Sequence, residues 1–176
     1  WCKGPHPGTN QLRNIDVYVE AYGSVADERV LGVMVTNWAP TTYLQGSIWD
    51  CLAYAAVAMG EGAEKARTKA FPWFVEHHYG ATWDPAWAEM FDVLYEAMPT
   101  RQSDQPFPLI APWSNDEEFA QMLQADRLYA TPFKSLLDKV DRLAGRVQRN
   151  AADFAAFRLM VAFLAHLYWR QDEVVK

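Results

Sequence analysis

Apolar residues recur every three or four positions along most of this chain, and each such stretch is bounded by a cap or a breaker. Leu12, Ile15, Val19 and Tyr22 follow Asn10, a good N-cap, and predict a helix that Gly23 ends. Val30-Leu31-Gly32-Val33-Met34-Val35 is different. It is a short continuous apolar run rich in β-branched residues, the pattern of a strand buried on both faces. It leads through Asn37 and Trp38 to a break at Ala39-Pro40 and a polar turn, Thr41-Thr42-Tyr43. A helical stripe follows, with Ile48, Leu52, Ala55, Ala56 and Met59 on one side.

Beyond Gly60-Glu61-Gly62 the pattern is helical to the end. Ala66, Ala70, Phe74 and His77/His78 mark a helix over 63–79 in which Pro72 starts or kinks a turn. Asp84-Pro85 reads as N-cap and first helical residue of a helix with Trp87, Met90, Phe91, Leu94 and Met98 on its apolar side. Pro99 to Pro112 is the longest irregular stretch. Ser114 or Asn115 then caps a helix whose acidic first turn suits the helix dipole. Thr131-Pro132 starts another, with Phe133, Leu136, Leu137, Val140 and Leu143, expected to run to about Arg149. Asn150 or Asp153 opens the last, with Phe154, Phe157, Met160, Val161, Leu164 and Tyr168. One buried strand among so many helices cannot satisfy its own N–H and C=O groups. The chain therefore reads as the C-terminal part of a longer protein or a processed chain, and Trp1 in first place agrees with this.

Composition narrows the reading. The 176 residues are 51% hydrophobic, enough for one sizeable core. The net charge of −6, with Lys and Arg scattered, argues against nucleic acid as a partner. No apolar run reaches the roughly 18 residues that span a bilayer; Ala151 to Trp169 is interrupted by Asp153, Arg158 and His166. A soluble chain of undetermined compartment is expected. Cys2 and Cys51 supply neither a disulfide framework nor metal spacing. His77 and His78 are helix neighbours about 100° apart, so they cannot both ligate one metal in the i, i+4 manner and read as structural or surface residues. Cys51 reads as a small core residue, and Trp73, Trp83, Trp87, Trp113 and Trp169 as packing between helices.

The strand–loop–helix unit Val30–Met59 carries the candidate chemistry. In α/β folds, ligands meet the loops at the carboxyl ends of strands. Here that end holds Asn37, Trp38 and Tyr43. An indole offers a flat apolar face to a sugar ring and an N–H to a hydroxyl. Lys3, in the other candidate loop, is a further residue that could face the same pocket.

Gly32, Trp38, Trp49 and Ala53-Tyr54-Ala55-Ala56, in this order and spacing, resemble the last β/α unit of family 20 glycoside hydrolases, the β-N-acetylhexosaminidases. Cys2-Lys3-Gly4-Pro5 and the helix from about Asn10 look like the preceding unit of the hexosaminidase D-like branch. The resemblance covers roughly residues 1–60 and implies a (β/α)8 barrel, while the helical pattern of the whole chain makes it mostly α. Residues 1–62 would be the last β/α units of a (β/α)8 barrel, and 63–176 an all-helical C-terminal extension. It implies a retaining exo-hydrolase of terminal N-acetylhexosamine whose nucleophile is the substrate's own acetamido group. The family's Asp-Glu pair lies on strand four, which this chain does not contain. Asp27-Glu28, Asp116-Glu117 and Asp172-Glu173 sit in a turn, a helix start and a tail, so no catalytic residue is assigned, and neither metal nor cofactor is implied. Trp38 takes the place of the Trp that packs on the sugar, with Tyr43 and Asn37 beside it. Many members carry a carboxylate two residues later; Pro40 stands there instead. The expected partners are a carbohydrate and the rest of the barrel. Two other readings stay open: a barrel relative that binds sugar without hydrolysis, and a free-standing helical interaction domain.

Overall fold

The structure, a computed structural model, describes residues 11–24, 34, 45–97 and 132–174. Among them there are six α-helices and no strand. We number them α1 (Gln11–Ser24), α2 (Trp49–Glu61), α3 (Ala63–Phe74), α4 (Pro85–Ala97), α5 (132–143) and α6 (Ala151–Val174). The mostly α class is thus found. Of the run Val30–Val35 only Met34 is described; it has irregular backbone and is 80% exposed. The rest of the run lies outside the described residues, and the strand neighbours needed to bury it are expected outside this chain.

Local sequence explains most boundaries. Asp84 caps α4, its Oδ1 accepting from the Ala86 and Trp87 N–H groups at 3.0 and 3.4 Å. Arg146 donates to the same carboxylate at 2.6 Å and to the Thr82 carbonyl at 3.3 Å, and together with the cap holds that carboxyl below its ordinary range. α1 passes Gly23 by one residue, within the ordinary fraying of helix ends. The helix from 132 stops at 143 rather than near Arg149, and a 3-10 turn, Ala144–Arg146, follows. Pro72 stays inside α3 and has no N–H to give to the preceding turn. Three residues later the ladder widens into a π turn, Val75–Tyr79. Gly80 closes that turn at φ 65°, a left-handed conformation that favours glycine.

Two groups of side chains make the interior. In the smaller, Tyr54 and Ala58 of α2 meet Ala66 and Ala70 of α3, with Leu12, Ile15 and Val19 of α1 laid over them. In the larger, Phe74, Trp87, Met90, Leu94, Phe133, Leu136, Val140, Phe154, Val161 and Leu164 join α3 to α6, and Trp49, Cys51 and Ala53 bring α2 into it. Its centre is aromatic: Phe71 stacks on Phe91 at 4.2 Å, and Tyr79 lies against Trp87 at 5.9 Å and edge-on to Phe154 at 5.2 Å. Arg146 sits 5.9 Å from the centre of the Trp87 ring, while the buried Trp87 indole N–H has no hydrogen-bond acceptor among the described residues.

Two packing expectations need correction. α2 does not bury Ile48, Leu52, Ala55, Ala56 and Met59 as one stripe: Ala56 and Met59 are exposed, and the buried set is Asp50, Ala53, Tyr54, Ala55 and Ala58. Two polar side chains with partners inside the bundle, Asp50 and Tyr54, turn the helix away from its apolar stripe. Trp73 is not packed between helices. It is 51% exposed and stacks on His77 at 4.9 Å.

Candidate functional site

Asn37, Trp38, Tyr43 and Lys3, the residues singled out from the sequence, lie outside the described residues. What the structure does describe is the ground on which their loop ends. Residues Gln45–Ile48 form a 3-10 turn directly before α2, and it packs on the head of α6. Gly46 makes this possible, because a Cβ there would come within 2.8 Å of Asp153 Cα and 2.9 Å of the Ala156 Cβ. Ser47 is buried beside it.

From this turn two polar clusters extend into the bundle. The first is Asp50 in the opening turn of α2. Its carboxylate is 5% exposed and accepts a hydrogen bond of 2.6 Å from the hydroxyl of Tyr95 on α4, itself 8% exposed. The Tyr95 ring stacks on Phe71 at 5.4 Å, and Cys51 Sγ lies 3.2 Å from the same hydroxyl oxygen. Burial disfavours the charged carboxylate and pushes its pKa from 3.8 up to about 6. The Tyr95 hydroxyl and the N–H groups of Cys51 and Asp50 pull the other way and lose. The Tyr95 phenol is pushed well above its ordinary value, by burial first and then by the Asp50 charge. Tyr79, on the π turn, is raised by burial and by Asp50 and Asp153.

The second cluster lies at the head of α6. His78 stacks on Phe74 at 4.9 Å, its ring 6.3 Å from Trp49, and its Nε2 is 3.0 Å from Asp153 Oδ2. Asn150, with φ 52°, donates from Nδ2 to the His78 carbonyl at 2.8 Å and approaches His78 Nδ1 at 3.3 Å. With Asn150 offering N–H there, Nδ1 is the acceptor and Nε2–H donates to Asp153. The Gln148 and Arg149 N–H groups bind the Tyr79 carbonyl at 2.9 and 3.0 Å, and Arg149 reaches the Glu76 carbonyl at 2.8 Å. His77 turns away to the Trp73 carbonyl. Both histidines thus have the structural places expected of them.

Chemically, Asp50 can hold or release a proton near neutrality, but its near-complete burial closes it to a substrate-sized molecule. Asp153 and His78 are spent on each other and on Asn150. Among the described residues no group of three or more His, Cys, Asp or Glu is arranged to hold a metal ion, and no helix is long and apolar enough to cross a membrane. The sequence did hold a signal for Asp50 that periodicity missed. It is the lone charged residue between Gln45 and Glu61, and Tyr54 follows it at the i, i+4 spacing that shares a face. Comparison of the chain with protein families, with curated proteins and with solved structures gives no match.

Proposed function

We propose that this chain is the C-terminal part of a family 20-like retaining exo-β-N-acetylhexosaminidase. In this reading Asn37, Trp38 and Tyr43 meet the terminal N-acetylhexosamine, and the helices from Trp49 onward are a scaffold without chemistry of their own. The observation that carries the scaffold role is the seating of Gly46 on Asp153 and Ala156, which pins the end of the candidate sugar loop to α6. Two further facts support the reading. A helix follows the candidate loop at Trp49–Glu61, as the reading requires, with Trp49 at its head and Ala53, Tyr54 and Ala55 buried. Among the described residues, Asp50 with Tyr95, His78 with Asp153, and Tyr54 with Asp16 are paired with one another inside the bundle.

The test is turnover of a chromogenic N-acetylglucosaminide. The full-length protein hydrolyses it with retention, and the pure 176-residue chain does not, because the acid and its carboxylate partner belong to strand four. Turnover by the isolated chain, or none by the full-length protein, overturns the reading. In the latter case Pro40, in place of the sugar-gripping carboxylate, favours a binding barrel without hydrolysis.

One observation favours a different class. Trp49, Cys51 and Ala53 of α2 share a single apolar core with α3 through α6, so the described helices bury their stripes on each other. A helical interaction domain would do the same. Such a domain unfolds cooperatively when isolated and leaves N-acetylhexosaminide turnover at zero in any longer form of the protein.

A further inference from the structure

Asp50 is placed where a carboxylate is hard to keep charged. It is at the joint between the first turn of α2 and the last turn of α4, 5% exposed, with one side-chain partner, the Tyr95 hydroxyl. Among the described residues, the groups that face it bring no cation. From α4 there is Tyr95; from α2 itself, Cys51; from the π turn, Tyr79; and behind Tyr79, from α6, Asp153 with His78 bound to it. One turn further along α2, the Tyr54 hydroxyl is taken by Asp16, which also holds the Arg67 guanidinium, so that cation is committed to another carboxylate. A buried carboxylate without a counter-charge is relieved either by taking up a proton or by moving to water.

We propose that Asp50 is an acid-responsive joint: neutral, it lets the first turn of α2 stay buried against α4; ionised, it draws that turn towards water, against the pull of the Tyr95 hydroxyl, and loosens the adjoining Gln45–Ile48 seat on α6. This inference does not depend on the sugar-hydrolase reading. Under either reading, the segment 37–43 leads into a seat that is firm in mildly acidic solution and looser at neutrality. The raised pKa of Asp50, near 6, puts the change within the physiological range, where no histidine has to be invoked.

The experiment is native-state hydrogen exchange by NMR on the full chain, read as protection factors so that the intrinsic pH dependence of exchange is removed. The amides of Ala53 and Tyr54 close the first turn of α2 on the Trp49 and Asp50 carbonyls. Their protection falls about tenfold between about pH 5 and about pH 7.5, the factor expected when a carboxyl of ordinary pKa in the open state meets one near 6 in the closed state. Protection at Val161 and Leu164, in the middle of α6, stays level. Asp50→Asn removes the pH dependence at Ala53 and Tyr54, and Tyr95→Phe moves its midpoint to higher pH. An unchanged pH dependence in Asp50→Asn overturns the proposal, as does an equal fall at Val161 and Leu164, which would mark global unfolding. The carboxyl carbon of Asp50 in the unsubstituted chain gives a check that needs no variant. A midpoint near the ordinary aspartate value of about 4 would also overturn it.

Discussion

Gly46 and Asp153 touch backbone to backbone: a methyl group at residue 46 would stand 2.8 Å from Asp153 Cα and 3.1 Å from the Asp153 carbonyl oxygen. Neither atom is the end of a flexible side chain, so Gly46→Ala has to push the Gln45–Ile48 turn off α6. It lowers stability by about 1–3 kcal/mol, the usual range for an overpacked contact. Chemical denaturation reads this as a lower midpoint at unchanged slope. Gly60→Ala is the matched control. Gly60 lies in α2 with nothing within 4 Å of an added Cβ. That change leaves stability level or raises it by up to about 1 kcal/mol through helix propensity. A neutral Gly46→Ala would mean that the turn is not seated on α6.

Asp16 gathers three donors from two neighbouring helices. It accepts from the Tyr54 hydroxyl at 2.8 Å and from Arg67 Nη2 and Nε at 2.7 and 3.1 Å, which ties α1 to α2 and α3. The Tyr54 bond is the protected one, and burial together with Asp16 pushes that phenol up in pKa. Tyr54→Phe therefore costs about 1 kcal/mol. Arg67→Ala costs less than about 1 kcal/mol, because the guanidinium is more than half exposed and screened by water. A double-mutant cycle on Asp16 and Tyr54 measures the coupling directly. A coupling indistinguishable from zero would show that α1 is held by Leu12, Ile15 and Val19 alone.

Stability as a whole also depends on pH through Asp50. Its folded pKa, about 6, lies above the unfolded value of 3.8, so between these values the folded chain holds a proton that the unfolded chain has released. The stabilisation from this site is complete below about pH 3.8 and is lost as pH rises through about 6, in total roughly 3 kcal/mol. Asp84 and Glu61 act in the opposite sense. Hydrogen bonding from Arg146 and from Lys69 lowers their pKa values, so what they contribute is lost as pH falls. Denaturation midpoints for the chain and for Asp50→Asn, compared from mildly acidic to neutral pH, separate the two. The unsubstituted chain loses stability on approaching neutrality, and the variant loses much less. Equal slopes would show that Asp50 is solvated.

Much of the helical architecture was legible in the residues, wherever chemistry and periodicity agreed. Asp84-Pro85 has the cap and the first-turn residue of α4 side by side, and Trp87, Met90, Phe91 and Leu94 are all buried as their spacing requires. Phe133, Leu136, Val140 and Leu143 on α5, and Phe154, Phe157, Met160, Val161 and Leu164 on α6, behave likewise. Spacing failed where one polar side chain outweighed the apolar ones. Asp50 has a 2.6 Å partner on a helix far away in sequence, and no local pattern encodes Tyr95. The π turn after Pro72 is similar, because its stitching to Gln148, Arg149 and Asn150 is wholly long-range. Trp73 looked like a packing residue from composition alone, but its neighbour His77, one turn on, holds it at the surface. Of the candidate sugar-binding site, Asn37, Trp38 and Tyr43 rest on sequence resemblance. The structure adds the Gln45–Ile48 seat at the end of their loop, which apolar periodicity does not reveal because it depends on a glycine.

The most direct measurement is the kinetics of Trp38→Ala in the full-length protein on a chromogenic N-acetylglucosaminide, alongside its thermal midpoint. Loss of a stacked indole from a sugar site removes about 1–3 kcal/mol, so kcat/KM falls by about 5- to 150-fold while the midpoint stays within a few degrees of the parent's. Unchanged kinetics, or a variant that no longer folds, would place Trp38 in a core instead of against a sugar and contradict the hexosaminidase reading.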